Sequence, residues 1–176
     1  MGILSKEELK EKFGIVDMTL DENGQLHSFD GKPSLVLADG QQIWHEHGVI
    51  SRKNSPAVIS NEVEGWWENG LPHKDGGPAI KYKNGGYEYW RNGLLDNGSG
   101  SAVYRKIDDD GIETTEYWAK GKLHRVGGPA IIINDNGEIT ERYYVDGVRF
   151  NTPKEYWQYL VDNGLVDKKD AFMHLI

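Results

Sequence analysis

The residues of this chain that could do chemistry are its six histidines, one acidic run and a series of tryptophans. His45-Glu46-His47 places two imidazoles at i and i+2, which share a face if the segment is a strand. Such a pair can chelate zinc, but the sequence identifies no third ligand. The segment also falls where one unit of a repeat carries an extra residue, so His45 reads as the mark of a bulge and no metal is expected. His27, His73 and His124 recur at one phase of that repeat. They stand two units apart, about 19 Å at four strands per step, whereas zinc ligands lie near 2 Å from one ion. Each of the three is expected to bond the connection of its own unit. Gly98-Ser99-Gly100-Ser101 has the look of a phosphate loop without the lysine and following helix that phosphate binding needs. The acidic run Asp108-Asp109-Asp110-Gly111-Ile112-Glu113-Thr114-Thr115-Glu116 reads either as a solvated turn or as an acidic finger that enters a basic partner surface. Trp67, Trp90 and Trp118 are core residues by type, yet tryptophans also anchor binding interfaces. No Ser-His-Asp order, nucleophile elbow or close carboxylate pair stands out.

What must position these groups is an internal repeat. Taking one recurrent glycine as the phase marker gives Gly24, Gly48, Gly70, Gly93, Gly121 and Gly147, spaced by 24, 22, 23, 28 and 26 residues. A Pro-Ala-like pair follows each of the first five markers at Pro33-Ser34, Pro56-Ala57, Pro78-Ala79, Ser101-Ala102 and Pro129-Ala130, and an aliphatic comes next: Leu35, Val58, Ile80, Val103, Ile131. Aromatic pairs precede the markers at Trp66-Trp67, Tyr89-Trp90, Tyr117-Trp118 and Tyr143-Tyr144. Within a unit the period is two. Ala79 to Lys83, Asn84-Gly85-Gly86 and Tyr87 to Trp90 read as strand, turn, strand, because Asn-Gly and Gly-Gly tolerate positive φ. Ala130 to Ile133, Asp135-Asn136-Gly137 and Ile139 to Tyr144 repeat the plan. Each unit is then a hairpin, and the glycine-rich segment with its proline connects it to the next.

A lone hairpin cannot bury its apolar face, so consecutive units should pair into one sheet of about ten strands, roughly 50 Å across. Adjacent aromatics point to opposite faces, giving each face an aromatic ladder. The small residues Ser34, Ala57, Ala79, Ala102 and Ala130 leave room for a neighbouring ring.

Trp118-Ala119-Lys120-Gly121-Lys122-Leu123-His124 resembles the core of the MORN repeat, in the variant form of bacterial and phage proteins; Trp67 to His73 and Trp90 to Gly93 are weaker matches. The resemblance covers about residues 24–150. It departs where the family's glycine after the histidine is replaced by Lys74 or Arg125. It implies a β-hairpin solenoid used for interaction and no particular partner; the repeat phase itself gives Gly70, Gly93 and Gly121 and the phase histidines structural roles.

The fold class is therefore mainly β: a single antiparallel sheet of hairpin repeats over 24–150, with a helical lead-in over 1–23 and a helical cap over 151–176. At the front, Ser5 with Glu8 forms a capping box, Leu4 and Leu9 a staple, and a helix over 6–13 ends at Gly14 and covers the first strand edge. At the back, Thr152-Pro153-Lys154-Glu155 opens a helix that runs to Asn163 and stops at Gly164, with Tyr156, Trp157, Leu160 and Val161 as its apolar stripe. The segment 165–176 adds a short helix. There is no cysteine, and no apolar leader or myristoylation motif is seen. A net charge of −8 argues against nucleic acid and anionic membranes. The functional expectation is a cytoplasmic, non-catalytic protein-binding module without a cofactor, bacterial or made in an infected cell. Asp108, Asp109, Asp110 and Glu113 at the tip and Trp67, Trp90 and Trp118 on the sheet are its contact residues. In its most specific form it is a phage-encoded inhibitor or antitoxin-like protein acting on a host protein. A nucleotide sponge that stacks a base on the aromatics is the second class, and a hydrolase or lyase built around His45 and His47 the third.

Overall fold

A computed structural model describes residues 6–96 and 104–176. The Ser5 cap, the Leu4 partner of the staple, the 98–101 segment and Ala102 lie outside the described residues. The chain opens with α1 (Lys6–Phe13) and β1 (Ile15–Met18). Then come β2 (Leu35–Leu37), β3 (Gln42–Ile43), β4 (His45–Glu46) and β5 (Val49–Ile50). The same quartet returns as β6 (Val58–Ile59), β7 (Val63–Gly65), β8 (Trp67–Glu68) and β9 (Leu71–Pro72), and again as β10 (Ile80–Tyr82), β11 (Tyr87–Glu88), β12 (Trp90–Arg91) and β13 (Leu94–Leu95). It recurs as β14 (Tyr104–Ile107), β15 (Glu113–Glu116), β16 (Trp118–Ala119) and β17 (Lys122–Leu123). The last unit is β18 (Ile131–Asp135), β19 (Glu138–Val145) and β20 (Val148–Phe150), followed by α2 (Pro153–Asp162) and α3 (Lys168–Leu175).

Each unit thus holds two hairpins, where the sequence suggests one. The first of each pair joins a twelve-stranded antiparallel sheet running β1-β2-β3-β6-β7-β10-β11-β14-β15-β18-β19-β20, in place of the ten strands expected. The second is a small ribbon closed by a two-residue turn at the marker glycine: His47-Gly48, Asn69-Gly70, Asn92-Gly93, Lys120-Gly121 and Asp146-Gly147. In each turn the first residue has φ near +50° and the glycine φ between +75° and +84°. Two positive φ values in succession define the type I′ turn, whose twist matches that of a hairpin's strands.

The ribbons stack on one another through a repeated bond. The marker N–H of Gly48, Gly70, Gly93, Gly121 and Gly147 donates to the carbonyl of Leu26, Ile50, Pro72, Leu95 and Leu123 in the preceding unit, at 2.8–3.1 Å. In the main sheet one row of cross-strand partners runs Leu35, Ile43, Val58, Gly65, Ile80, Glu88, Tyr104, Glu116, Ile131, Arg142. Tyr104 therefore takes the place that the spacing gives to Val103. Val103 itself lies outside the described residues.

The small residues of the repeat are fully buried at Ser34, Ala57, Ala79 and Ala130. The largest core cluster lies at the C-terminal end, where Tyr156, Trp157 and Leu160 of α2 pack with Val145 and with Ala171 of α3. Thr152 Oγ1 accepts the Glu155 N–H at 3.2 Å, and Glu155 returns to the Asn151 N–H, so the cap closes one residue earlier than a strict capping box. Tyr156 ties the helix to the sheet: its hydroxyl donates to the Arg125 carbonyl at 2.7 Å and accepts the Gly128 N–H at 3.0 Å. At the other end, Gly14 has φ +62° and its carbonyl receives the Ala38 N–H at 2.8 Å, which joins the exit of α1 to the turn after β2. No helix among the described residues is long and apolar enough to cross a membrane.

Candidate functional site

The acidic run forms the turn between β14 and β15. Asp108 is spent on folding that turn: its Oδ1 accepts the N–H groups of Asp110 and Ile112 at 3.1 and 2.8 Å. This is an Asx turn, the device also used by Asp21, Asp39 and Asn84 in their own turns. Glu113 does not belong to the tip either. It forms a bidentate pair with Arg105 at 2.9 and 2.7 Å across the β14–β15 hairpin, which holds its carboxyl below the usual range. That leaves Asp109 and Asp110, both exposed, with no side-chain partner among the described residues.

The tryptophans lie on the other face. Glu113, Arg105 and Tyr87 share one side of the sheet, whereas Glu116 and Glu88 are in the alternate register. Trp118 Nε1–H donates to Glu116 at 2.8 Å, and Trp90 Nε1–H donates to Glu88 at 2.6 Å. Trp67 lies flat over Gly65, where an added Cβ would sit 1.8 Å from the indole. Glu88 is a buried carboxylate held by neutral donors, Trp90 and the Tyr82 hydroxyl at 2.7 Å. Burial first, and then this bond to Glu88, push the Tyr82 hydroxyl far above its ordinary range. Glu113 and the tryptophan row are consequently on opposite faces of the sheet, and Asp108 and Glu113 drop out of the tip as free charges.

The second aromatic ladder, on the Arg105 side, is capped by cations. The Arg52 guanidinium lies 3.9 Å from the Trp44 ring centroid, Lys74 Nζ 3.5 Å from that of Trp66, and the Arg125 guanidinium 3.8 Å from that of Tyr117. Arg52 and Arg125 also donate to the carbonyls of Pro56 and Pro129. Arg52 and Arg125 thus bridge the aromatic and the proline loop of their own units, and Lys74 makes the ring contact alone. Arg52, Trp66, His73 and Lys74 line a groove of about 460 Å³ between two units.

The phase histidines hold the next unit rather than their own. The Nδ1 atoms of His27, His73 and His124 accept the backbone N–H of His47, Asn92 and Asp146 at 3.1–3.2 Å, and Ser51 Oγ faces the Asn69 N–H at 3.5 Å in the same way. At His124 the Asp146 carboxylate also reaches Nδ1, at 2.9 Å, and competes for that nitrogen.

His45 and His47 do not form a chelating pair. The strand β4 ends at Glu46, and His47 is the first turn residue, with φ +48°. His45 occupies the tryptophan phase, buried, with its Nδ1 2.8 Å from Ser34 Oγ. There Ser34 replaces the alanine of the other units, so the pair is a polar substitute for alanine and tryptophan; burial pushes the His45 imidazole down. His47 turns to Asp21, whose Oδ2 lies 2.7 Å from its Nδ1. The sequence reading passed over Asp21. Its signal was the phase, since it stands three residues before a marker, where Trp67, Trp90 and Trp118 stand in later units.

No protein-family model matches the chain, and no curated protein matches it.

Proposed function

We propose that the protein is a non-catalytic protein-binding module whose β14–β15 tip engages a basic surface on its partner. The observation that carries this reading is the pair Asp109 and Asp110. Within this turn Asp108 accepts backbone N–H groups, while Asp109 and Asp110 stand side by side and exposed with no side-chain partner among the described residues. Exposed charge at an interface rim steers encounter and sets the association rate. Of the two histidines on which an enzyme reading would rest, His45 is buried against Ser34, and His47 lies outside its strand and pairs with Asp21, so the two do not share a site. The resemblance of Trp118 to His124 to phage-type repeats supports the most specific version, an inhibitor or antitoxin-like protein directed at a host protein. Capture of the partner from the producing cells, followed by mass spectrometry, tests the proposal. A chain whose 108–112 turn is shortened to Asn-Gly should lose that partner while keeping its circular dichroism. Retention of the partner by the shortened chain moves the interface to the tryptophan face.

A nucleotide-binding reading has one observation in its favour, the groove between Arg52, Trp66, His73 and Lys74. A base could stack on Trp66 only by displacing Lys74, which already lies over that ring. Release of a small molecule on heating the purified protein would favour this second reading over the first.

A further inference from the structure

We propose that Asp21, His27 and His47 form a zinc(II) site that clamps the first turn of the repeat array to the next unit. One donor atom from each of the three side chains lies within 4.8 Å of the others. Zinc with ligands at 2.0–2.1 Å in a tetrahedron sets its donors about 3.3 Å apart. Asp21 and His47 are already at 2.7 Å, and both imidazoles must turn for all three donors to reach one ion, a movement that the exposed His47 side chain allows. The two imidazoles and the carboxylate leave the fourth position to water.

The carboxylate is prepared for the role. Asp21 Oδ1 accepts the N–H groups of Asn23 and Gln25, both at 2.9 Å, which fixes the side chain and leaves Oδ2 directed at His47. Hydrogen bonds of this kind orient metal ligands and raise affinity. The rings of His27 and His47 approach to 4.4 Å between centroids, and Phe29 packs against His27 at 4.7 Å.

The repeat supplies a comparison within the chain. At the phase of Asp21 later units carry His45, Trp67, Trp90, Trp118 and Tyr144, none of them a carboxylate; at the phase of His47 they carry Asn69, Asn92, Lys120 and Asp146. His27 is shared with His73 and His124. Two departures from the pattern therefore converge on one histidine that the pattern already provides. In the metal-free protein His27 Nδ1 accepts the His47 N–H. Ligation requires that bond to be given up, and the metal then replaces it as the link between units. The proposal rests on no part of the protein-binding reading.

Zinc chloride titrated into the untagged full chain by calorimetry should show one site. His47→Asn keeps the turn, since Asn69 and Asn92 hold the same conformation, and should weaken binding at least about tenfold. Asp21→Asn keeps the Oδ1 acceptor and should do the same, so either variant suffices if the other does not fold. His73→Ser, which copies Ser51, should leave binding unchanged. In NMR spectra zinc should shift the His47 amide and leave the Asn92 and Asp146 amides in place. Absence of saturable binding, unchanged affinity in His47→Asn, or equal loss in His73→Ser overturns the site.

Discussion

Replacing Gly93 by alanine, with Gly111 as its control, measures how tightly the small ribbons stack. Both glycines have positive φ, +76° and +81°. Each substitution therefore carries the left-handed penalty of about 1–2 kcal/mol. Gly111 has nothing within 4 Å of the added Cβ, whereas at Gly93 the Cβ would meet Leu71 Cδ2 of the preceding unit at 3.1 Å. Leu71 is half-exposed and can shift, so the extra cost falls at the low end of overpacking, about 1 kcal/mol. Urea denaturation of the two variants should place Gly93→Ala below Gly111→Ala by that amount, and adding Leu71→Ala should remove the difference. Equal midpoints for the two glycine variants would refute the stacking of one unit's marker on its neighbour's side chain.

Further substitutions test the layers beneath. Ala130 is fully buried, so Ala130→Leu should cost about 1–3 kcal/mol in the same assay. Arg125→Ala removes both the contact on Tyr117 and the bond to the Pro129 carbonyl and should cost roughly 1–2 kcal/mol, with Arg125→Lys intermediate. Because burial lowers the pKa of His45 from 6.5, its neutral form stabilises the fold above about pH 6.5 and that contribution is lost as pH falls through the lowered value. Denaturation midpoints at pH 7.5 and 5 should therefore differ more in the natural chain than in His45→Gln.

The hairpins were legible where the turn chemistry is explicit. Asn84-Gly85-Gly86 and Asn136-Gly137 close hairpins of the main sheet as the sequence indicates, and Thr152 and Gly164 bound α2. The second hairpin of each unit is harder to see: Asn69-Gly70, Asn92-Gly93 and Asp146-Gly147 carry the turn signal, but His47-Gly48 and Lys120-Gly121 do not, and its strands are only two or three residues long outside β19. Contacts between units are also silent in sequence. His73 meets Asn92 from nineteen residues away, so its partner appears only once the ribbons are stacked. The candidate site was legible in composition but not in allocation: Asp108 and Glu113 carry the same charge as Asp109 and Asp110, and only the turn geometry and Arg105 separate structural from free carboxylates.

The association rate of the captured partner with the natural chain and with Asp109→Asn/Asp110→Asn, taken at low and high salt, tests the central reading most directly. Free tip charges predict association slower by on the order of 3–10-fold at low salt, a gap that closes as ionic strength rises, with little change in dissociation. Identical association rates at low salt for two folded chains that both bind the partner would contradict it.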